Sequence, residues 1–233
     1  MDDPQENPLV SVHEETPERF DEDIHADERR ENIRRSVLAL RADLPEPYRL
    51  HKSSAICDAL EEAFDITCAV MDIEPAHSTI AVYSAFKEEV QLDQFIRAAY
   101  ARGAHIAFPC IVTDAWGCEA APQQTMEMRL VTKEAYETNS IPFLANPLKK
   151  YTHDDPALAA FPYVSADALT MIVIPLVAFD ANHARLGYGK GNYDRYLPQL
   201  SDSCRQIAVA FSEQEVPSIP TEPHDVPVRV LAR

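Results

Sequence analysis

Val177-Ala-Phe-Asp-Ala-Asn-His-Ala-Arg-Leu-Gly-Tyr-Gly-Lys-Gly-Asn-Tyr-Asp-Arg-Tyr-Leu197 is the most informative stretch of this 233-residue chain. There are only five glycines, where average usage near 7% would give roughly 16. Three of them, Gly187, Gly189 and Gly191, alternate around Lys190. Alternating glycines remove Cβ atoms and permit positive φ, so successive backbone N–H groups can turn inward on a bound anion. Lys190 adds a mobile positive charge to that concavity. The apolar run Met171-Ile-Val-Ile174 precedes the loop, and Tyr193-Asp-Arg-Tyr-Leu-Pro-Gln-Leu200 after it reads as a short helix. Strand, glycine loop and helix N-terminus together suit phosphate, because the nest and the helix dipole point at one place. In isolation the same glycines also fit a hairpin or surface turn. A Walker loop is excluded, since Lys190 is not followed by Ser or Thr and no Gly lies five residues before Gly189; the spacing also misses G-x-G-x-x-G.

Working outward, the composition is that of a soluble globular protein, 46% hydrophobic and 25% charged, and the length suits one α/β domain with an appendage. A formal net charge of −17 argues against nucleic acid or an anionic membrane as partner. Much of that charge is local: residues 1–28 hold eleven acids and one arginine, so the remainder can still form a cationic pocket. The five cysteines are odd in number and lack any C-x-x-C pair, which argues against a disulfide framework or a structural zinc site and points to a reducing cytoplasm. The sequence shows no apolar signal core and no run of membrane-spanning length.

Residues 1–25 read as an acidic tail unable to offset its ordering entropy by burial, and 26–233 as a single domain. From about Ala26 to Asp43 the pattern is helical, with Ile33, Val37 and Leu40 as an apolar stripe and Arg30, Arg34 and Arg41 beside it. Those arginines can either aim into a cleft or form a solvated face paired with Glu28 and Glu31. Pro45 and Pro47 end that first helix, and a second is predicted from Tyr48 to Phe64. Ser78–Tyr83 reads as a strand, followed by a loop carrying Glu88 and Glu89 and by a helix built on Leu92, Phe95, Ile96 and Ala99. Further strands are expected at His105–Pro109, Met126–Val131 and Gln206–Phe211. Alternating strands and helices with uniformly apolar strands predict a parallel α/β sheet covered on both faces.

Phe179-Asp180, a short gap, then Arg185-Leu-Gly-x-Gly-Lys-Gly-x-Tyr-Asp194 closely resembles the signature of the 5-formyltetrahydrofolate cyclo-ligase (methenyltetrahydrofolate synthetase) family. Arg30-Glu-Asn-Ile-Arg34 is similar to the family's basic pair on its first helix, with Arg30 where lysine is usual. The resemblance implies a three-layer Rossmann-like fold shared with sugar-phosphate isomerases and coenzyme A transferases. It also implies ATP- and magnesium-dependent closure of 5-formyltetrahydrofolate to 5,10-methenyltetrahydrofolate. Arg30, Arg34, Arg185, Leu186, Gly187, Tyr188, Gly189, Lys190, Gly191, Asn192 and Tyr193 would then contact ATP, with Lys190, Arg185 and Tyr193 closest to the chemistry. Glu89, Tyr83, Phe86, Tyr193 and Trp116 would line the folate side, although Trp116 fits a core position equally well. Asp194 and Asp225 would hold Mg2+. Two departures stand out: Phe143-Leu-Ala-Asn-Pro147 keeps only the proline of a family Gly-Ile-x-Glu-Pro segment, and Arg229 replaces a second acid after Asp225. The implied partners are small molecules, with no nucleic acid or membrane, for a monomer or weak homo-oligomer. Two alternatives use the same scaffold: a noncatalytic sugar-phosphate-binding module, and an isomerase or deaminase that needs no ATP.

Overall fold

The computed structural model describes residues 17–113, 124–146, 149–222 and 225–233. Two long helices lead the chain, α1 (Pro17–Asp43) and α2 (Glu46–Met71). α1 begins well before Ala26, so the end of the acidic segment is helical. Proline is tolerated at a first helical position, and acids favour the positive end of the helix dipole. α2 likewise outruns its predicted end at Phe64. Thr67 and Cys68 extend the buried stripe of Ile56, Leu60 and Phe64, and the helix stops only where Asp72 takes a left-handed conformation at φ 53°.

The remaining elements are β1 (Thr79–Ala81), α3 (Asp93–Ala101), β2 (His105–Thr113), β3 (Gln124–Val131), α4 (Lys133–Glu137), α5 (Pro142–Ala145), β4 (Tyr163–Val164), β5 (Met171–Pro175), β6 (Ala178–Phe179), β7 (Arg185–Leu186), α6 (Asn192–Tyr196), β8 (Arg205–Ala210) and β9 (Val230–Ala232). Seven strands form one sheet in the order β4-β3-β2-β1-β5-β8-β9, and β6 and β7 form a separate antiparallel ribbon. The sheet is parallel from β2 through β9. The expectation of a wholly parallel sheet fails at β3 and β4, which run antiparallel. The connection between Thr113 and Gln124 is shorter than a parallel crossover needs, which accords with the antiparallel pairing of β2 and β3.

Side chains alternate between two cores. Ile80, Ile106, Phe108, Met171, Val173, Ile207 and Val209 meet Ile56, Leu60, Phe64 and Phe95 from α2 and α3. On the other face the sheet offers the smaller Ala81, Ala107, Ala208 and Ala210 with Ile172 and Ile174, covered by Leu176, Phe179, Tyr196 and Leu197. Both faces are covered, as expected, but the second by α6 and loops rather than by long helices. α1 packs on the ribbon instead of flat on the sheet, through Val37 against Val177, Ala178, Leu186 and Ile219. Its stripe differs from the predicted one: Leu40 is 43% exposed while Arg41, one residue on, is 3% exposed. Among the described residues no helix is long and apolar enough to cross a membrane.

Candidate functional site

The chain leaves β1 toward one side of the sheet and β5 toward the other, so the carboxyl ends of these neighbours form the edge where open α/β sheets hold ligands. Pro175 ends β5 there, Phe86 lies in the loop after β1, and both line a cleft of ≈ 490 Å³. The glycine segment does not follow β5 directly. The β6–β7 ribbon intervenes and is closed by Asp180, which is buried and accepts hydrogen bonds from the backbone N–H groups of Asn182 (2.9 Å), Ala184 (3.1 Å) and Ile219 (3.0 Å). One carboxylate thus shapes the turn that delivers Arg185 and ties it to the segment leading to Glu222 and Asp225. The sequence shows Asp180 as part of the Phe-Asp pair but gives no hint of this role, because Ile219 is remote along the chain.

Gly187 to Gly191 wrap one wall of the cleft. Gly189 (φ +84°) and Gly191 (φ +62°) occupy backbone conformations that side chains disfavour, and Gly191 is the N-terminal cap of α6. A Cβ on Gly189 would lie 3.3 Å from Arg34 Cζ, whereas Gly187 has no atom within 4 Å of that position. Arg34 Nε donates to the Gly187 carbonyl at 2.9 Å, fixing the loop against α1. The backbone N–H groups of Tyr188, Gly189, Lys190, Gly191 and Asn192 find no acceptor among the described residues. Lys190 is exposed and makes no ion pair there either. Open backbone donors beside a lysine and two arginines have the chemistry that suits an anion.

The cleft brings Arg30, Arg34, Phe86, Arg185, the whole of 187–193, Asp194 and Asp225 together, joined by Asp27 and Glu222. Arg30 is paired with Asp27 at 2.7 Å and with Glu222. Arg185, also buried, pairs with Asp194 Oδ1, and its Nε has no partner among the described residues. Asp225 Oδ2 accepts from the Glu222 N–H at 2.7 Å. The second oxygens of Asp194 and Asp225 accept no bond from the described residues. Carboxylate oxygens are the donor type that a magnesium ion takes, with water and phosphate completing its shell. Among the described residues no group of three or more His, Cys, Asp or Glu could hold a metal by itself.

Glu89, 4% exposed, does not itself line this cleft but is bonded to two residues that do, Phe86 and Tyr188, with both oxygens engaged. Its Oε2 accepts from the Phe86 N–H at 2.8 Å and its Oε1 from the Tyr188 hydroxyl at 2.6 Å. Arg41 Nη2 donates to the same Tyr188 oxygen at 2.6 Å, and Arg41 Nη1 lies 4.0 Å from Glu89. Burial pushes the Glu89 carboxyl above its ordinary value, against which the bonds from Tyr188 and Phe86 and the charge of Arg41 all act. Phe86 meets Tyr188 edge-on, ring centroids 6.0 Å apart. Tyr83 is not brought into the cleft. Its hydroxyl donates to the Val90 carbonyl at 2.8 Å, and it borders a second cavity with Phe108 and Tyr136. Trp116 lies outside the described residues.

Comparison with known proteins gives a consistent result. A sequence model described as the 5-formyltetrahydrofolate cyclo-ligase family matches residues 26–232. A 5-formyltetrahydrofolate cyclo-ligase from Mycolicibacterium smegmatis is 28% identical over 197 residues, covering 83% of this chain and 88% of the relative. The solved 5,10-methenyltetrahydrofolate synthetase from Mycoplasma pneumoniae shares the fold with a TM-score of 0.58 at 22% identity, over 86% of this chain and 96% of that one. The corresponding synthetase from Aquifex aeolicus gives a TM-score of 0.57 at 21% identity, over 87% and 89% of the two chains. With the match running through both long helices, the glycine loop and β9, the chain is an enzyme that belongs to the 5-formyltetrahydrofolate cyclo-ligase family.

Proposed function

We propose that this enzyme converts 5-formyltetrahydrofolate and Mg-ATP into 5,10-methenyltetrahydrofolate, ADP and phosphate. The observation that carries the reading is the row of N–H groups in 188–192 that find no acceptor among the described residues, lining one cleft with Lys190, Arg34, Asp194 and Asp225. Phosphoryl transfer asks a protein chiefly for alignment and charge compensation. The loop donors, Lys190 and Arg34 would hold the terminal phosphates, and Arg185 would aim Asp194. Arg30 is already paired with Asp27 and Glu222, so it would reach a phosphate only by exchanging those partners. Asp194 and Asp225 would hold Mg2+, which supplies charge neutralisation at phosphate oxygens when bound.

In the reaction the formyl oxygen attacks the γ-phosphorus and ADP leaves. N10 then attacks the activated carbon and gives up its proton, and the C–O bond breaks as phosphate carries the oxygen away. Phosphorylation is what makes that oxygen a competent leaving group near neutral pH, so no nucleophilic side chain is required. Glu89, Phe86 and Tyr193 would position the reduced folate beside the phosphates, the carboxylate accepting from pterin N–H groups and the rings packing on the heterocycle. The buried free thiols of Cys57, Cys68, Cys110 and Cys204 accord with a reducing, cytoplasmic setting. The test is the purified protein with 5-formyltetrahydrofolate, with and without Mg-ATP, followed by the absorbance of the methenyl product. ATP-dependent appearance of the chromophore with matching ADP release supports the reading, and its absence overturns it.

A further inference from the structure

The bond directions around Tyr188 are fixed by chemistry. A guanidinium has donors and no acceptor, so Arg41 must donate to the Tyr188 oxygen. The single phenolic proton is therefore free to go to Glu89 Oε1, 2.6 Å away. Arg41, Tyr188 and Glu89 form a directed relay that runs from α1 through the glycine loop to the loop after β1. Burying a charged guanidinium is costly unless its donors are satisfied. Arg41 is incompletely satisfied: beyond Tyr188, among the described residues, it has a 3.5 Å bond to the Leu176 carbonyl and the 4.0 Å approach of Nη1 to Glu89, and its Nε has no partner there. Among the described residues the carboxylate that this guanidinium faces is Glu89, so its charge acts on that group.

We infer that Arg41 is a positioning residue for the reduced-folate half of the cleft, acting on Glu89 through the hydroxyl of Tyr188. The inference rests on the folate reading of Glu89 given above. A carboxylate offers about four lone-pair positions. The relay and the Phe86 N–H take one on each oxygen and leave the others for ligand N–H groups. Because Tyr188 sits between Gly187 and Gly189, its hydroxyl also links the phosphate loop to the folate side.

The groups facing Glu89 set the sign of a pH test. Arg41 from α1 and the Tyr188 hydroxyl from the loop favour its ionised form, Glu88 beside it disfavours that form, and Tyr83 and Tyr193 also lie within its field. Removing either Arg41 or the hydroxyl raises the carboxyl's pKa, so folate capture fails at a higher pH than in the parent.

The experiment is steady-state kinetics with each substrate varied, across pH, for the parent, Arg41→Met, Tyr188→Phe and the double variant. We expect each single variant to raise KM for 5-formyltetrahydrofolate by about tenfold, as for one lost charge-assisted bond, with a much smaller change in KM for Mg-ATP. The acid limb of kcat/KM for the folate should move up by about one pH unit. The double variant should be no worse than the worse single one, since both break the same relay. Unchanged folate KM and acid limb, or additive losses, would overturn the inference while leaving the activity intact. An inactive parent would instead overturn the functional reading and the inference with it. If Arg41→Met does not fold, Tyr188→Phe decides alone, because Tyr188 is 41% exposed and its ring is retained.

Discussion

The two walls of the cleft are built on opposite principles. The glycine wall keeps its polar groups open: a run of backbone donors that find no acceptor, and a lysine that finds no acid, among the described residues. The Glu89 wall keeps them engaged, with both carboxylate oxygens, the Tyr188 hydroxyl and two arginine nitrogens already in a network. A phosphate can enter the first wall without displacing anything. A ligand at the second must add to a network already in place, so shape and bond direction matter there more than charge. The difference suits the proposed substrates, one recognised by its anionic end and the other by a heterocycle's edge.

The largest effect should come from the open wall. We expect Lys190→Ala to lower kcat by on the order of 100-fold or more, the scale of losing one group that compensates charge at the reacting centre. Its melting temperature should match the parent's, because the side chain is exposed and makes no ion pair among the described residues. A variant that keeps full activity would show that the loop does not serve the transferred phosphoryl group.

Two changes in the frame of that wall should trade activity against stability. Asp180→Asn keeps the shape but leaves one acceptor oxygen where three N–H groups converge, so we expect a loss of about 1–3 kcal/mol, read by denaturant unfolding. KM for Mg-ATP should rise as well, since the turn carrying Arg185 loosens. An unchanged midpoint would mean that the ribbon holds its turn without this carboxylate. Gly189→Ala places a Cβ at φ +84° and 3.3 Å from Arg34 Cζ. We expect about 1–2 kcal/mol of destabilisation, with a raised KM for Mg-ATP and an unaltered KM for the folate. Equal effects on both substrates would erase the distinction between the walls.

The open wall was legible in the sequence, because its signals are local. Three alternating glycines, Lys190 and the short helix after them lie in one stretch, and Arg30 and Arg34 differ by one helical turn. The engaged wall was not, because its contacts join α1, the loop after β1 and the glycine loop. Arg41 shows why: periodicity placed Leu40 inward, yet the packed position one residue on is taken by a guanidinium whose partners lie far along the chain. The sheet divides the same way. Long apolar strands such as β5 and β8 announce themselves, whereas β9, three residues after a proline-rich run, gains its place from pairing with β8. The turn-back at β3 follows from a connection too short for a crossover, a constraint of topology rather than of residue type.

The smallest effect lies outside the cleft and serves as a control on both walls. Lys52 on α2 is ion-paired with Glu213 at 2.6 Å, and the Tyr48 hydroxyl donates to the same carboxylate at 2.7 Å. Burial opposes the charge on Glu213, but these two partners outweigh it and hold the carboxyl below its ordinary value of 4.5. A depressed carboxyl contributes stability that is fully present above the ordinary value and is lost as pH falls through the depressed one. Lys52→Met should therefore cost about 0.5–1 kcal/mol near neutral pH and flatten the fall in stability on acidification below pH 4.5. It should leave both KM values unchanged. A change in either KM would mean that the network around Glu213 reaches the cleft, and the contrast between its walls would then have to include the packing of α2.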